Sequence, residues 1–499
     1  MTKLLMSLLM AASLVGAAPP GRVNVGDRIL PPPVQPDKAL MPLVKVSAQT
    51  VVLRHVRIID GTGAKPVADR TVIIEGGKIA AILGPKAKIP KGATVLDMTG
   101  RSLLPGLVGM HNHMYYIARP NLDEAGHAHA PSPLVPQMTF SAPLLYLAGG
   151  VTTMRTTGSV EPYTDLNVKA RIDAGMLAGP HMDVTGPYLE GANSAFIQMH
   201  QLKDADGARR MVAYWADQGV TSFKAYMNIS RAQLKAAIDE AHRRGLKVTG
   251  HLCSVTYPEA AALGIDNLEH GFWANTQNDP GKEPDRCPAT TGAPTLAAMD
   301  ADSAEARSLI KQLVDARVAI TSTLPVFEPS SPLYRPLAPR MLDMLSPQAR
   351  ADYLTLRRLA AAAPPERAAR RAQLWANELK MERAFVAAGG LLLAGPDPTG
   401  AGNVLPGFGD QRAIELLVEA GFTPLEAIRI GTLNGAAYLG LEDRIGSIAP
   451  GKHADLILVR GDPSQNIADI ENVEMVFKDG VGYDSAALLA SVRGRYGQY

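Results

Sequence analysis

The chain has 499 residues, a formal net charge of +2, 46% hydrophobic and 20% charged residues, and two cysteines. That length exceeds an average domain and favours one large domain with a satellite. The near-neutral balance gives no electrostatic case for nucleic acid or an anionic membrane, and two cysteines cannot form a disulfide framework, which leaves a small-molecule or short-peptide partner.

At the N-terminus Lys3 precedes an apolar run over residues 4–15, and Gly16, Ala17 and Ala18 follow. A positive start, a short apolar core and a small-residue cleavage site predict a secretory signal over residues 1–18. The run is shorter than the roughly 20 apolar residues a spanning helix needs, and no cysteine marks a lipid-anchored cleavage site, so a secreted, periplasmic or extracellular protein without a stable membrane anchor is expected. Residues 19–49, with Pro31-Pro32-Pro33, read as a Pro-rich extended lead-in.

Residues 50–104 show Val- and Ile-rich runs broken by Asp60-Gly61, Gly76-Gly77 and Lys91-Gly92, the pattern of a small antiparallel β unit. The same texture returns over residues 441–485, so the two ends are expected to complete one β-sandwich; residues 486–499 read as a tail. Between them, residues 105–440 alternate strand and helix. Strands are predicted at 107–113, 151–156, 182–188, 222–227, 247–252, 267–270, 318–324 and 391–396. Helices are predicted at 231–244, stopped by Gly245, and at 303–316, capped by Ser303. Eight such units predict an α/β fold: a (β/α)₈ TIM barrel with a small β-sandwich domain formed by both chain ends. The loop 275–294 and the Ala/Arg-rich stretch 339–388 carry the extra length.

The chemistry-bearing residues fall where those strands end. His111 and His113 are alternate residues on the first strand and face one side, toward the mouth of the barrel. Lys224 lies in the apolar fourth strand, His251 ends the fifth, His270 the sixth and Asp397 the eighth. Any one alone reads as structural; their joint arrival at strand ends points to a centre for divalent ions such as Zn²⁺. His127 and His129 share the His-x-His spacing in a polar stretch and are given no role.

At these residues the chain resembles the amidohydrolase superfamily, in its imidazolonepropionase and Xaa-Pro or Xaa-Arg dipeptidase-like branch. The likeness includes Leu104-Pro105-Gly106-Leu107-Val108 leading into His111-Asn112-His113, then Gly150-Val151-Thr152-Thr153-Met154-Arg155, Glu269-His270-Gly271 and residues 446–456. It implies two divalent metal ions, with His111, His113 and Asp397 on one, His251 and His270 on the other, and Lys224 bridging as a carbon dioxide-derived carbamate. It also implies cleavage of an amide bond in a dipeptide or N-acyl amino acid by a metal-bound hydroxide, with Asp397 as the catalytic proton shuttle. Homo-oligomers are common in that family.

Around this centre, Tyr226 on the face of Lys224, His200 in the loop after the third strand and Arg155 are candidate substrate contacts, with structural packing the alternative for Tyr226 and a structural ion pair the more expected use of Arg155. His181, His242 and His453 are expected to be structural, and Cys253 to pack or to pair with Cys287. A lactone or phosphoester hydrolase on the same centre, and an inactive binding or scaffold barrel, are the competing readings. Metal-dependent deaminases of the superfamily generally lack the bridging lysine. After the third strand, residues 188–194 replace the Gly-Gly-His run of the dipeptidase-like relatives, which leaves the substrate open.

Overall fold

The computed structural model describes residues 24–118, 135–194, 196–330, 335–398 and 404–498. The expected secretory signal and His127 and His129 lie outside the described residues. The fold is α/β. Its central strands, in chain order, are β1 (Leu107–Gly109), β2 (Val151–Arg155), β3 (His181–Asp183), β4 (Ser222–Ala225), β5 (Lys247–Gly250), β6 (Asn267–Glu269), β7 (Ala319–Ser322) and β8 (Leu392–Ala394).

β1–β3 form one parallel sheet and β4–β8 another. Backbone bonds also run between them. Thr221 N donates to Val184 O at 2.8 Å and Gly186 N to Ser222 O at 2.9 Å, joining β3 to β4. Met110 N donates to Ala394 O at 2.9 Å, joining β8 to β1. Every residue of β1, β2, β4 and β7 is buried, as expected of parallel strands covered on both faces.

The helices start where side chains can cap them. Ser230 and Gln233 form a capping box on Arg231–Arg243, and Ser303 caps Ala304–Asp315. Thr256 and Glu259 do the same for Tyr257–Leu263. The stretch 339–388 supplies two long helices, Pro347–Ala361 and Pro365–Ala387.

The two chain ends meet in a single nine-stranded sheet. Leu456–Arg460 pairs antiparallel with Arg101–Pro105, joining strands more than 350 residues apart in sequence. One apolar cluster, including Val51, Leu53, Val72, Leu103, Leu456 and Phe477, draws on both ends.

Two expectations are corrected. Residues 24–49 are no simple extended lead-in: Val25–Ile29 is a helix, Ile29 and Leu30 are fully buried, and Val44–Val46 adds a strand beside Val481–Asp484. Apolar residues in this short stretch find core partners that its prolines conceal. The last residues are likewise no tail, because Ser485–Val492 is a helix that buries Leu488 and Val492 and docks on Ser141–Ala148. Among the described residues, no helix is long and apolar enough to cross a membrane.

Candidate metal centre

Each predicted strand exists, but each ends sooner than its apolar pattern suggests. The ladder stops because the chain turns to present side chains at the C-terminal ends. His270 and Asp397 sit at φ 69° and 52°, a left-handed conformation that costs energy for residues with a Cβ and concentrates at functional sites. Gly395 allows β8 to pass the first histidine, since a Cβ there would lie 2.3 Å from His111 N. Asp397 N then donates to His111 O at 3.0 Å, fixing the end of β8 against the exit of β1.

The six residues predicted at the strand ends come together. Lys224 Nζ lies 3.2 Å from His111 Nε2. Asp397 Oδ1 is 3.1 Å from His113 Nε2 and 3.6 Å from His111 Nε2. The His270 ring is 4.6 Å from His111 and 4.3 Å from His251, centroid to centroid. His111, His113 and Asp397 bring potential ligand atoms within 4.8 Å of one another.

Charge and burial prepare these groups as ligands. Burial, reinforced by the Lys224 charge, pushes His251 down to about 3 and His111 well below the ordinary imidazole range. Burial lowers His113 as well, and burial with neighbouring imidazoles lowers His270. All four are therefore neutral donors near pH 7. Burial also brings Lys224 down to about 8, against the opposing pull of Glu269 and Asp397. Asp397 behaves oppositely: burial resists its ionisation, but His111, His113 and Lys224 outweigh that and hold its carboxyl well below the usual range. Neutral imidazoles, a persistent carboxylate and a readily deprotonated lysine are a donor set that fits divalent cations.

The imidazoles are also oriented from behind. His111 Nδ1 donates to Glu269 Oε2 at 2.7 Å, and His113 Nδ1 to Thr156 O at 3.1 Å, which leaves the Nε2 atom of each facing Asp397. His270 Nδ1 lies 2.9 Å from Thr323 Oγ1. Glu269 is held by Arg155 Nη2 at 2.7 Å and by the Thr249 hydroxyl.

In that network Arg155 makes a structural ion pair, the more expected of its two uses, and not a substrate contact. Its guanidinium is buried among the strands and donates to Met110 O, Asn267 Oδ1 and Glu269 Oε1. Its part is to hold Glu269. Tyr226 does stand at the cluster, 5.1 Å from the His251 ring and 5.9 Å from Lys224 Nζ. His200 is exposed and lines a cavity of about 490 Å³ with Ser159, Tyr188, Arg210 and Trp215.

Sequence reasoning missed Glu269, whose signal was present: Asn267 and Glu269 are alternate polar residues in a buried strand. It also missed Tyr115, whose ring stacks on His113 at 4.4 Å and whose hydroxyl meets that of Tyr188 at 2.5 Å. His181 lies at the start of β3, 3.5 Å from Asp455 and 3.3 Å from Asp479, tying the strand to the terminal sheet. Cys253 and Cys287 form a disulfide that anchors the loop 275–294 two residues beyond His251.

Comparison with known proteins bears on the family and the fold. Residues 381–481 match the family model described as the amidohydrolase family. An allantoinase of Streptomyces avermitilis is 31% identical over 141 residues, 26% of this chain and 28% of the allantoinase's own length. Among solved structures, a Xaa-Pro dipeptidase with methionine bound in its active site superposes with a TM-score of 0.63 at 20% identity, covering 87% of this chain and all of that one. The bottromycin amidohydrolase reaches 0.65 at 19% identity, covering 91% and 94%. The resemblance to the amidohydrolase family read from the sequence is borne out over residues 381–481, and the fold is the one these solved structures share.

Proposed function

From an amidohydrolase segment on a dipeptidase-like fold, we propose that this chain is a metal-dependent hydrolase of amide C–N bonds, with dipeptides or N-acyl amino acids as substrates. The observation that carries this reading is the convergence of His111, His113, Lys224, His251, His270 and Asp397 at the C-terminal ends of β1, β4, β5, β6 and β8. Bonds joining β3 to β4 and β8 to β1 support a closed (β/α)₈ barrel, where that end is the mouth. The apolar cluster shared by both chain ends supports the β-sandwich.

In this reading His111, His113 and Asp397 would hold one divalent ion, His251 and His270 a second, and Lys224, as its carbamate, would be a ligand the two share. A lysine at about 8 supports that modification, because only the neutral amine adds to carbon dioxide, forming an N–C bond and releasing one proton. Bound divalent ions, Zn²⁺ being the best match to this donor set, lower the pKa of water and polarise a carbonyl. Asp397 stays ionised beside His113 and takes the proton of the attacking water, then delivers it to the amide nitrogen as the C–N bond breaks. Glu269 and Arg155 keep His111 from turning away. The apolar start of the chain supports export to the periplasm or the medium.

The test is metal analysis of the purified protein together with a panel of dipeptides, N-acyl amino acids, lactones and phosphotriesters. We expect about two divalent ions per chain, the usual count for such a bridged centre, and turnover of the amides. Lys224→Ala should lose metal and recover activity with short carboxylic acids. A chain that takes up no divalent ion is not this enzyme, and selective turnover of lactones or phosphotriesters would reassign the bond it breaks.

A further inference from the structure

The ligand cluster is flanked by aromatic rings on two sides. On one side Tyr115 stacks on His113, its hydroxyl meets Tyr188, Tyr188 meets Tyr226 at 4.9 Å, and Tyr226 meets His251 at 5.1 Å. Val135 and Met199 pack with Tyr115 and Tyr188. On the other side Phe327 meets His270 edge-on at 5.7 Å and stacks on Trp273 at 4.4 Å, with 12° between the planes.

Both walls contain buried polar groups that satisfy nothing. The indole Nε1–H of Trp273 has no acceptor, and neither amide atom of Gln137 has a partner, among the described residues. Gln137 forms an antiparallel bridge with Tyr115, a pairing that sets both side chains on the same face. Buried donors without acceptors are rare in native proteins and costly to keep. Two of them in aromatic walls beside one ligand cluster indicate a molecule that arrives with its own oxygens and a flat apolar body.

We propose that these walls form the side-chain subsite of the centre, that the preferred substrate is an amide bearing an aromatic side chain, and that Trp273 is its specificity-determining residue, donating from Nε1 to a substrate oxygen. Gln137 supplies the second polar contact. This rests on the reading of the centre as an amide hydrolase. Trp273→Phe is the informative variant, because it keeps the ring on Phe327 and removes only the donor.

The experiment compares N-acetyl-phenylalanine, N-acetyl-leucine and N-acetyl-alanine as substrates of metal-loaded wild type and Trp273→Phe. Binding of phenylalanine to each is measured by calorimetry, and thermal unfolding confirms that the variant is folded. For wild type, kcat/KM should favour the phenylalanine derivative over the alanine one by about 100-fold, the scale on which a pocket discriminates apolar side chains. Trp273→Phe should raise KM and the phenylalanine Kd about tenfold and change kcat little, as expected for a lost hydrogen bond used equally in ground and transition states. Equal use of the three substrates, or unchanged KM and Kd in the variant, overturns the proposal. Binding of phenylalanine that depends on Trp273 without turnover of any amide upholds the subsite and sinks the hydrolase reading instead.

Discussion

Glu269 Oε2 accepts a hydrogen bond from His111 Nδ1 at 2.7 Å, with both side chains wholly buried and 158 residues apart in the chain. The pair fixes which imidazole nitrogen keeps its lone pair, and Arg155 and Thr249 fix the carboxylate in turn. Carboxylate partners of this kind raise the basicity of a ligating histidine and hold its ring in place.

Glu269→Gln keeps the shape and removes the charge that answers Arg155. Metal affinity should fall about 10- to 100-fold, the usual cost of losing a partner behind a ligand. Competition with a graded chelator measures this, and unchanged affinity would show that His111 is oriented by packing alone.

Asp397→Asn separates ligation from proton transfer. The amide retains one oxygen toward His113, 3.1 Å away in the native protein, but cannot carry a proton between water and the leaving nitrogen. We expect kcat to drop by about 10²–10⁴, the range of general acid–base catalysis, with most of the bound metal retained. Near-native turnover would remove Asp397 from the proton path.

Glu190 makes a pH-dependent contribution to stability. It is fully buried, its Oε1 accepts from Gly191 N and Asn228 N at 2.9 Å each, and its Oε2 has no hydrogen-bond partner among the described residues. Burial raises its carboxyl from 4.5 to about 7. A folded pKa above the unfolded one means that the native state holds the proton more tightly, so stability from this group is full below pH 4.5 and is lost as pH rises through 7. Glu190→Gln places an uncharged amide there with the same acceptor oxygen. The difference in Tm between variant and wild type should therefore grow in the variant's favour from pH 5 to pH 8. A difference that stays flat with pH would assign the wild-type slope to other groups.

The disulfide between Cys253 and Cys287 closes a 34-residue separation and holds the loop 275–294 beside His251. Asp279 secures the same loop from within, accepting from Gly292 N at 2.8 Å and Thr295 Oγ1 at 2.6 Å. Replacing both cysteines by alanine should cost about 2–4 kcal/mol of stability and raise KM, read from denaturant unfolding and steady-state kinetics. If neither changes, Asp279 and its neighbours suffice to hold the loop.

Much of this molecule was legible in the chain itself. The eight strand positions, the stop at Gly245, the cap at Ser303, and the polar residues waiting at strand ends all follow from local patterns, which each segment carries alone. The terminal β pieces could be matched because both alternate and turn in the same way. Strand ends were overdrawn because apolar patterns continue through residues that leave the ladder, as at His270 and Asp397, whose left-handed φ no pattern announces.

What the tertiary structure alone decided is where long side chains go once the strands are in register. Arg155 carries a charge on a long side chain that the sequence could place at the mouth; the approach of β2 and β6, which belong to different sheets, sends it inward to Glu269. The Tyr115–Tyr188 contact joins residues 73 apart, and the disulfide joins residues 34 apart. Such pairings depend on loop closure and register between elements, quantities that no single segment contains, and they are what turn six separate side chains into one oriented cluster.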